Sequence, residues 1–201
     1  MSTKWIGIAA LRTTAAVVFA VLSGSPSAAS SHPAVPSADA NRTWAGAEAL
    51  QIPEWMKVDR NARLVQIEIV AGKTEFNNHW NFNGYAKGNA TITVPEGYKV
   101  VIRFRNGDPS FPHSLGIGQR MEQFPPLFEN PAPVFRGAIS SGATSLTDST
   151  KPGEQETISF IASRAGDYAM LCYVPAHAIA GMWIHFRVSA EGEVGFQGPS
   201  T

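Results

Sequence analysis

Residues 168–188 read YAMLCYVPAHAIAGMWIHFRV, and the second half of this stretch has the period-two alternation of a β-strand. Its apolar set is Met182, Ile184, Phe186 and Val188, and its intervening set is Trp183, His185 and Arg187. Successive side chains of an extended chain point to opposite faces, so this pattern places one face in a core and the other in water. The stretch therefore predicts a half-buried strand that follows a loop.

The same alternation recurs in three segments upstream, at residues 65–69, 98–105 and 157–160. Turn signals separate the segments, among them Pro95-Glu96-Gly97 and Lys151-Pro152-Gly153. Several short strands punctuated by turns predict an all-β sandwich with antiparallel, Greek-key pairing. The proline-rich and serine-rich stretch 119–150 is predicted to be a long loop between two strands.

The N-terminus has the features of a secretory signal. Lys4 and Arg12 supply positive charge, residues 14–24 form a short apolar run, and Ser27-Ala28-Ala29 offers small residues for cleavage. We therefore predict a signal peptide over residues 1–29 and a periplasmic or otherwise extracytoplasmic protein. An uncleaved membrane anchor starting at Trp5 is the alternative, although the apolar run is shorter than the ~20 residues that a membrane span requires.

The remaining chain divides by composition into three parts. Residues 30–62 are predicted to be a linker, with one possible short helix within 46–57 that Pro53 would end. The β-domain is predicted over 63–190, and residues 191–201 form a C-terminal tail. Formal net charge is +0, with 16 basic and 16 acidic residues, so no basic patch indicates a nucleic-acid partner.

The single cysteine, Cys172, is the first indication of function. Cysteines of exported proteins usually pair, so one alone is inert, paired between chains, or used chemically. Four residues separate Cys172 from His177, and four more separate His177 from Met182. One strand-to-strand loop therefore presents a thiolate, an imidazole and a thioether, and His113 offers a second imidazole from a separate strand end.

These four side chains suit copper. Thiolate and thioether are soft ligands that favour Cu(I), and two His with one Cys and a weak axial Met form the blue-copper arrangement. Zinc sites usually recruit more cysteines or a carboxylate. Each residue also has a structural interpretation: Cys172 and Met182 as core residues, His113 and His177 as turn or loop histidines. In combination, the four predict one type 1 copper ion bound by His113, Cys172, His177 and Met182.

The sequence resembles the sulfocyanins of the cupredoxin superfamily from about Phe76 to Val188. The most specific matching segments are Asn81-Phe82-Asn83-Gly84, Val94-Pro95-Glu96-Gly97, Pro112-His113-Ser114 and the Cys172–Trp183 loop. The resemblance implies a Greek-key β-barrel or sandwich, a type 1 copper on the same four residues, and extracytoplasmic respiratory electron transfer, with a cytochrome or terminal oxidase as partner. One departure lies in the loop, where Tyr173 and Ala176 stand at positions that are commonly glycine in the family.

A copper storage or delivery protein and a multicopper enzyme are the alternatives to an electron carrier. A copper storage or delivery protein would have an open, exchangeable site. A multicopper enzyme would need further histidine clusters, commonly His-x-His pairs, and the five histidines include none. A fully ligated copper also leaves no position for a substrate, so we do not expect an enzyme.

The residues around the predicted ligands are expected to have supporting or surface roles. Ser114 is predicted to support the ligands by hydrogen bonding, Asn83 to hydrogen-bond within its turn, His79 to be structural, and His185 to face solvent. The apolar neighbours of His177 predict a docking patch around an exposed imidazole edge. Its other members would be Ile179, Phe124, Pro125 and Phe128.

Overall fold

The computed structural model describes residues 50–199, which form nine strands and contain no helix. The strands are β1 Met56–Asp59, β2 Leu64–Ala71, β3 Thr91–Pro95, β4 Lys99–Asn106, β5 Gly116–Gln119, β6 Gln155–Ile161, β7 Gly166–Leu171, β8 Trp183–Ser189 and β9 Gly195–Gln197. They form a four-stranded sheet in the order β1-β2-β4-β6 and a five-stranded sheet in the order β5-β7-β8-β3-β9. The predicted all-β Greek-key sandwich is confirmed. No helix in the described part of the chain is long and apolar enough to cross a bilayer.

The strand pairing differs from the antiparallel prediction at two places. β2 and β4 pair in parallel, as do β3 and β8, whereas the other five pairs are antiparallel. The physical reason is the position of β3 in the opposite sheet. The chain leaves the first sheet after β2, passes through β3, and returns as β4 in the direction of β2.

Large apolar side chains from both sheets fill the core between them. Phe104 of β4 and Phe186 of β8 are fully buried, and the rings of Phe160 and Phe186 lie 6.0 Å apart across the two sheets. Alternation along each strand explains this arrangement, because the exposed residues of β4 fall between its buried ones. The period-two pattern of the sequence therefore identified the core-facing residues.

Two strands lie outside the predicted domain limits of 63 and 190, β1 before the first and β9 after the second. The predicted short helix within 46–57 is absent from the described part of this range, where Met56 and Lys57 begin β1 and pair with β2. β9 lies in the range assigned to the C-terminal tail and pairs with β3. The sequence of residues 46–57 did not distinguish a helix from a strand, because a strand of four residues has too few alternating side chains to show a period of two. The predicted signal peptide, residues 1–29, lies outside the described residues.

The segment between β5 and β6 contains no regular strand, in agreement with the predicted long loop. It is nevertheless fastened to the sandwich by isolated bridges that pair Ile139 with Gly116 and Thr150 with His113. The second bridge is formed by the His113 N–H, which donates to the Thr150 carbonyl at 3.0 Å. The loop thus holds one of the predicted copper ligands in place.

Truncating the core should destabilise the domain far more than truncating its surface. We expect Phe186→Ala to lower the free energy of unfolding by about 3–5 kcal/mol, because it removes a fully buried ring and leaves a cavity. Ile161→Ala is the matched control in β6, where Ile161 is 51% exposed, and it should cost less than about 1 kcal/mol. Urea denaturation followed by circular dichroism measures both. Equal losses would contradict this assignment of the core.

Candidate metal centre

The loop between β7 and β8 brings three of the predicted ligands together. Cys172 directly follows β7, and Met182 directly precedes β8. The Cys172 N–H donates to the Met182 carbonyl at 3.1 Å, and the Met182 N–H donates to the His177 carbonyl at 2.9 Å. Because β7 and β8 are antiparallel neighbours, the two ends of the loop must meet, and these bonds close it.

The donor atoms of His113, Cys172 and His177 all lie within 4.8 Å of one another. The two Nδ1 atoms are 3.1 Å apart, and His177 Nδ1 is 3.4 Å from Cys172 Sγ. A metal ion bonded in a plane to such atoms at about 2.0–2.3 Å would separate them by about 3.5–3.8 Å. The two measured separations are within a few tenths of an ångström of these values, and the donor set fits copper.

The fourth predicted ligand, Met182, is fully buried in the same core cluster as Cys172. Its place is fixed by the two backbone hydrogen bonds that join it to Cys172 and His177. A thioether in such a position has no proton to lose and interacts weakly with hard cations, so its chemistry suits Cu(I) better than Zn²⁺.

Ser114 holds the sulfur of Cys172, in agreement with its predicted supporting role. The Ser114 N–H donates to Sγ at 3.3 Å, and the hydroxyl oxygen lies 3.5 Å from it. The same oxygen accepts a hydrogen bond from the Tyr173 N–H at 2.8 Å. Donors aimed at the sulfur stabilise its thiolate form and fix its position.

Asp108 is a functional residue that the sequence analysis missed. His113 Nε2 donates to Asp108 Oδ2 at 2.8 Å, and both side chains are almost fully buried. Burial alone would raise the pKa of Asp108, but hydrogen bonds from Ser110 N–H, His113 and Phe111 N–H together lower it. The carboxylate fixes the proton of His113 on Nε2 and leaves Nδ1 free to bind a metal.

Burial determines the protonation of the ligands in the absence of a metal. Burial, with a smaller contribution from His113, lowers the pKa of His177 to about 3. It also lowers the pKa of His113, although the hydrogen bond to Asp108 opposes that shift. Burial raises the pKa of the Cys172 thiol to about 11. Both imidazoles are therefore neutral near pH 7, and a bound cation is needed to stabilise the thiolate.

The predicted exposed edge of His177 is not present in the structure. His177 is only 2% exposed, and the indole of Trp80 stacks on its ring with the centroids 4.1 Å apart. Phe124 is also buried, and Phe128 is half-buried against Tyr173, whereas Ile179 is exposed as expected. No local pattern predicts this cover, because Trp80 comes from a loop almost one hundred residues upstream of His177.

The remaining assigned residues lie outside the donor cluster. His79 Nδ1 is 3.5 Å from the Gly72 carbonyl, consistent with a structural role, and His185 is half-buried rather than fully exposed. The side chain of Asn83 does not bond within its own turn. It accepts from the Val70 N–H and donates to the Glu68 carbonyl, which fastens its loop to β2.

Comparison with known proteins gives consistent results. The sulfocyanin (SoxE) domain matches residues 53–197. Sulfocyanin of Sulfolobus acidocaldarius is 30% identical over 126 residues, which cover 60% of this chain and 61% of the relative. Rusticyanin of Acidithiobacillus ferrooxidans is 29% identical over 103 residues, covering 51% of this chain and 63% of the relative. The chain thus spans less than two thirds of either relative.

Two solved structures are also similar. Reduced auracyanin from Roseiflexus castenholzii is 28% identical with a TM-score of 0.43, covering 62% of this chain and 96% of auracyanin. Reduced rusticyanin is 19% identical with a TM-score of 0.46, covering 67% of this chain and 86% of rusticyanin.

Proposed function

We propose that this chain, which belongs to the sulfocyanin (SoxE) family of blue copper proteins, carries single electrons outside the cytoplasm. The cofactor of this family is one copper ion. In this proposal His113, Cys172, His177 and Met182 would hold the copper ion, which would supply the one-electron couple between Cu(II) and Cu(I).

The observation that carries the proposal is the convergence of two imidazole Nδ1 atoms on one buried cysteine sulfur. Ser114 and Asp108 hold two of these donors by hydrogen bonds, so their positions change little with the charge at the centre. Small rearrangement on reduction and oxidation favours fast electron transfer. The burial of all the donors favours a carrier over a copper delivery protein, whose site must exchange its metal, and over an enzyme, whose site must admit a substrate.

The proposal extends to the domain organisation and the cellular context. We assign residues 1–29 to a signal peptide, and we assign the copper domain to the region from about residue 50 to 197, since β1 and β9 pair within the sheets. A cytochrome or a terminal oxidase is the redox partner that this assignment favours. Membrane attachment would arise only through the N-terminus.

The visible spectrum tests the proposal most directly. The Cu(II)-loaded protein should be intensely blue or green from sulfur-to-copper charge transfer, and Cys172→Ser should abolish this colour because it removes the sulfur. Circular dichroism of the variant should show the same β-sheet signal as the wild type. A colourless wild-type protein loaded with Cu(II), or a coloured Cys172→Ser variant, would contradict the assignment.

The axial position is tested by Met182→Leu, which keeps the volume of the buried side chain but removes the thioether. We expect the variant to keep its colour and to have a higher reduction potential, because losing an electron donor favours Cu(I). Cyclic voltammetry of both proteins measures the difference. An unchanged potential would mean that Met182 contributes only packing.

Export is tested by mass spectrometry of the protein isolated from its native cells. The mature chain should begin near Ser30, directly after Ser27-Ala28-Ala29, and should occur in the extracytoplasmic soluble fraction. An intact Met1 or Ser2 terminus in the membrane fraction would support the uncleaved anchor instead.

A further inference from the structure

None of the four proposed ligands reaches the protein surface. His113, Cys172 and Met182 are fully buried, and His177 is almost fully buried. If these residues bind copper as proposed above, an electron from a partner must cross at least one further side chain. Tunnelling rates fall steeply with distance, so the side chain that connects the ligands to the surface governs the rate.

Trp80 makes this connection to His177. Its indole lies nearly parallel to the imidazole, at an interplanar angle of 23° and a centroid distance of 4.1 Å. Trp80 is itself half-buried, so part of the residue is accessible. Phe111, which is 45% exposed, packs edge-on against Trp80 at a centroid distance of 6.2 Å. Two aromatic rings thus lead from His177 to the surface.

We propose that Trp80, and not the edge of His177, is the group through which the copper centre exchanges electrons with a redox partner. The proposal rests on the proposed function and adds to it the path that the electron takes between the copper ion and the protein surface. A partner that gives up one electron becomes oxidised, and Cu(II) becomes Cu(I). The electron tunnels through the stacked indole and imidazole, no bond forms or breaks, and no proton moves.

The loop that carries Trp80 has a strained backbone directly before the tryptophan. The three residues before it, Asn77, Asn78 and His79, have φ values of 52°, 55° and 63°. Non-glycine residues rarely adopt this left-handed conformation, and three in succession are costly unless the surroundings hold them. Strain of this kind concentrates at functional sites, and here it lies directly before Trp80.

Hydrogen bonds hold the strained loop in place. The Asn77 side chain donates to the Trp80 carbonyl at 2.8 Å. The Asn81 side chain donates to the carbonyls of Thr74 and Phe76 at 2.8 and 2.7 Å. These bonds brace the loop on both sides of Trp80, so the stacking on His177 is pre-organised.

The indole N–H is a second indication that Trp80 does more than cover the His177 imidazole. Trp80 Nε1 is buried and has no hydrogen-bond acceptor among the described residues. Buried tryptophan N–H groups usually have a partner, and an unsatisfied one destabilises the protein. An apolar side chain would cover His177 without this cost, whereas an aromatic system offers electronic contact as well.

A rival route leaves the centre on the cysteine side. Tyr173 is bonded to Cys172 through the backbone, and its ring packs against the half-buried Phe128 at a centroid distance of 4.7 Å. This pair therefore provides the matched control. A variant at Phe128 interrupts the rival route without touching Trp80 or His177.

The test measures electron self-exchange between oxidised and reduced copies of the copper-loaded protein by NMR line broadening. The driving force is zero, so a change in reduction potential does not alter the comparison. Trp80→Leu should slow self-exchange several-fold, because leucine covers His177 without an aromatic ring. Trp80→Phe should remain close to wild type, and Phe128→Leu should have no effect. The visible band and the reduction potential of each variant are recorded in parallel.

The stacking itself is tested on the metal-free wild-type protein, independently of copper and of any variant. Nuclear Overhauser effects should connect the ring protons of Trp80 and His177, and their absence would overturn the proposal even if Trp80→Leu failed to fold.

Unchanged or faster self-exchange in Trp80→Leu would show that Trp80 only shields His177 from solvent. Slower exchange in Phe128→Leu would assign the route to the cysteine side. A wild-type protein without the visible band would instead refute the proposed function, so the two failures are distinguishable.

Discussion

The hydrogen bond from the Cys172 N–H to the Met182 carbonyl is the constraint on which the rest of the centre depends. It closes the loop of residues 172–182 between β7 and β8. With the ends of the loop joined, His177 is the residue within it that can turn inward toward the Cys172 sulfur, and the Met182 N–H fixes the His177 carbonyl. The antiparallel pairing of β7 with β8 imposes this closure, so the sheet itself positions three of the proposed ligands.

The segment that carries His113 and Ser114 lies upstream of this loop, and buried polar side chains hold it in place. Asn106 at the end of β4 donates to the Phe111 and Thr150 carbonyls, and its side-chain oxygen accepts from the Asp108 N–H. Asp108 in turn holds His113, and Ser114 holds the cysteine sulfur. Each of these buried polar side chains has a partner, which is the condition for a polar network to stabilise a core rather than weaken it. The network links the end of β4 to the metal-binding atoms.

The sequence predicted those features that depend on local patterns. Alternation identified the core-facing residues of β4 and β8, and the spacing of Cys172, His177 and Met182 predicted a single loop that carries three ligand types. Features that depend on the meeting of distant segments were not predictable. Trp80 was missed because it reaches His177 from a loop that is far away in sequence. Asp108 is only five residues from His113, but the turn between them has no repeating pattern that would place the two side chains together. The parallel pairs were missed because the sheet to which β3 belongs is not encoded in its own residues. The burial of His177 was missed because the indole that covers it belongs to that distant loop.

The arrangement of the strands has a consequence for the order of events when the protein forms. Ser114 and Cys172 are 58 residues apart in sequence, and two of the seven strand pairs are parallel, so the donors meet only after long stretches of chain have come together. Such non-local topologies fold slowly, and the unfolded chain holds no preformed arrangement of these side chains. Copper would therefore bind the native state more tightly than the unfolded one, and it would stabilise the native state by mass action. The domain would then fold before it binds copper, and the bound ion would stabilise a sandwich that has already formed.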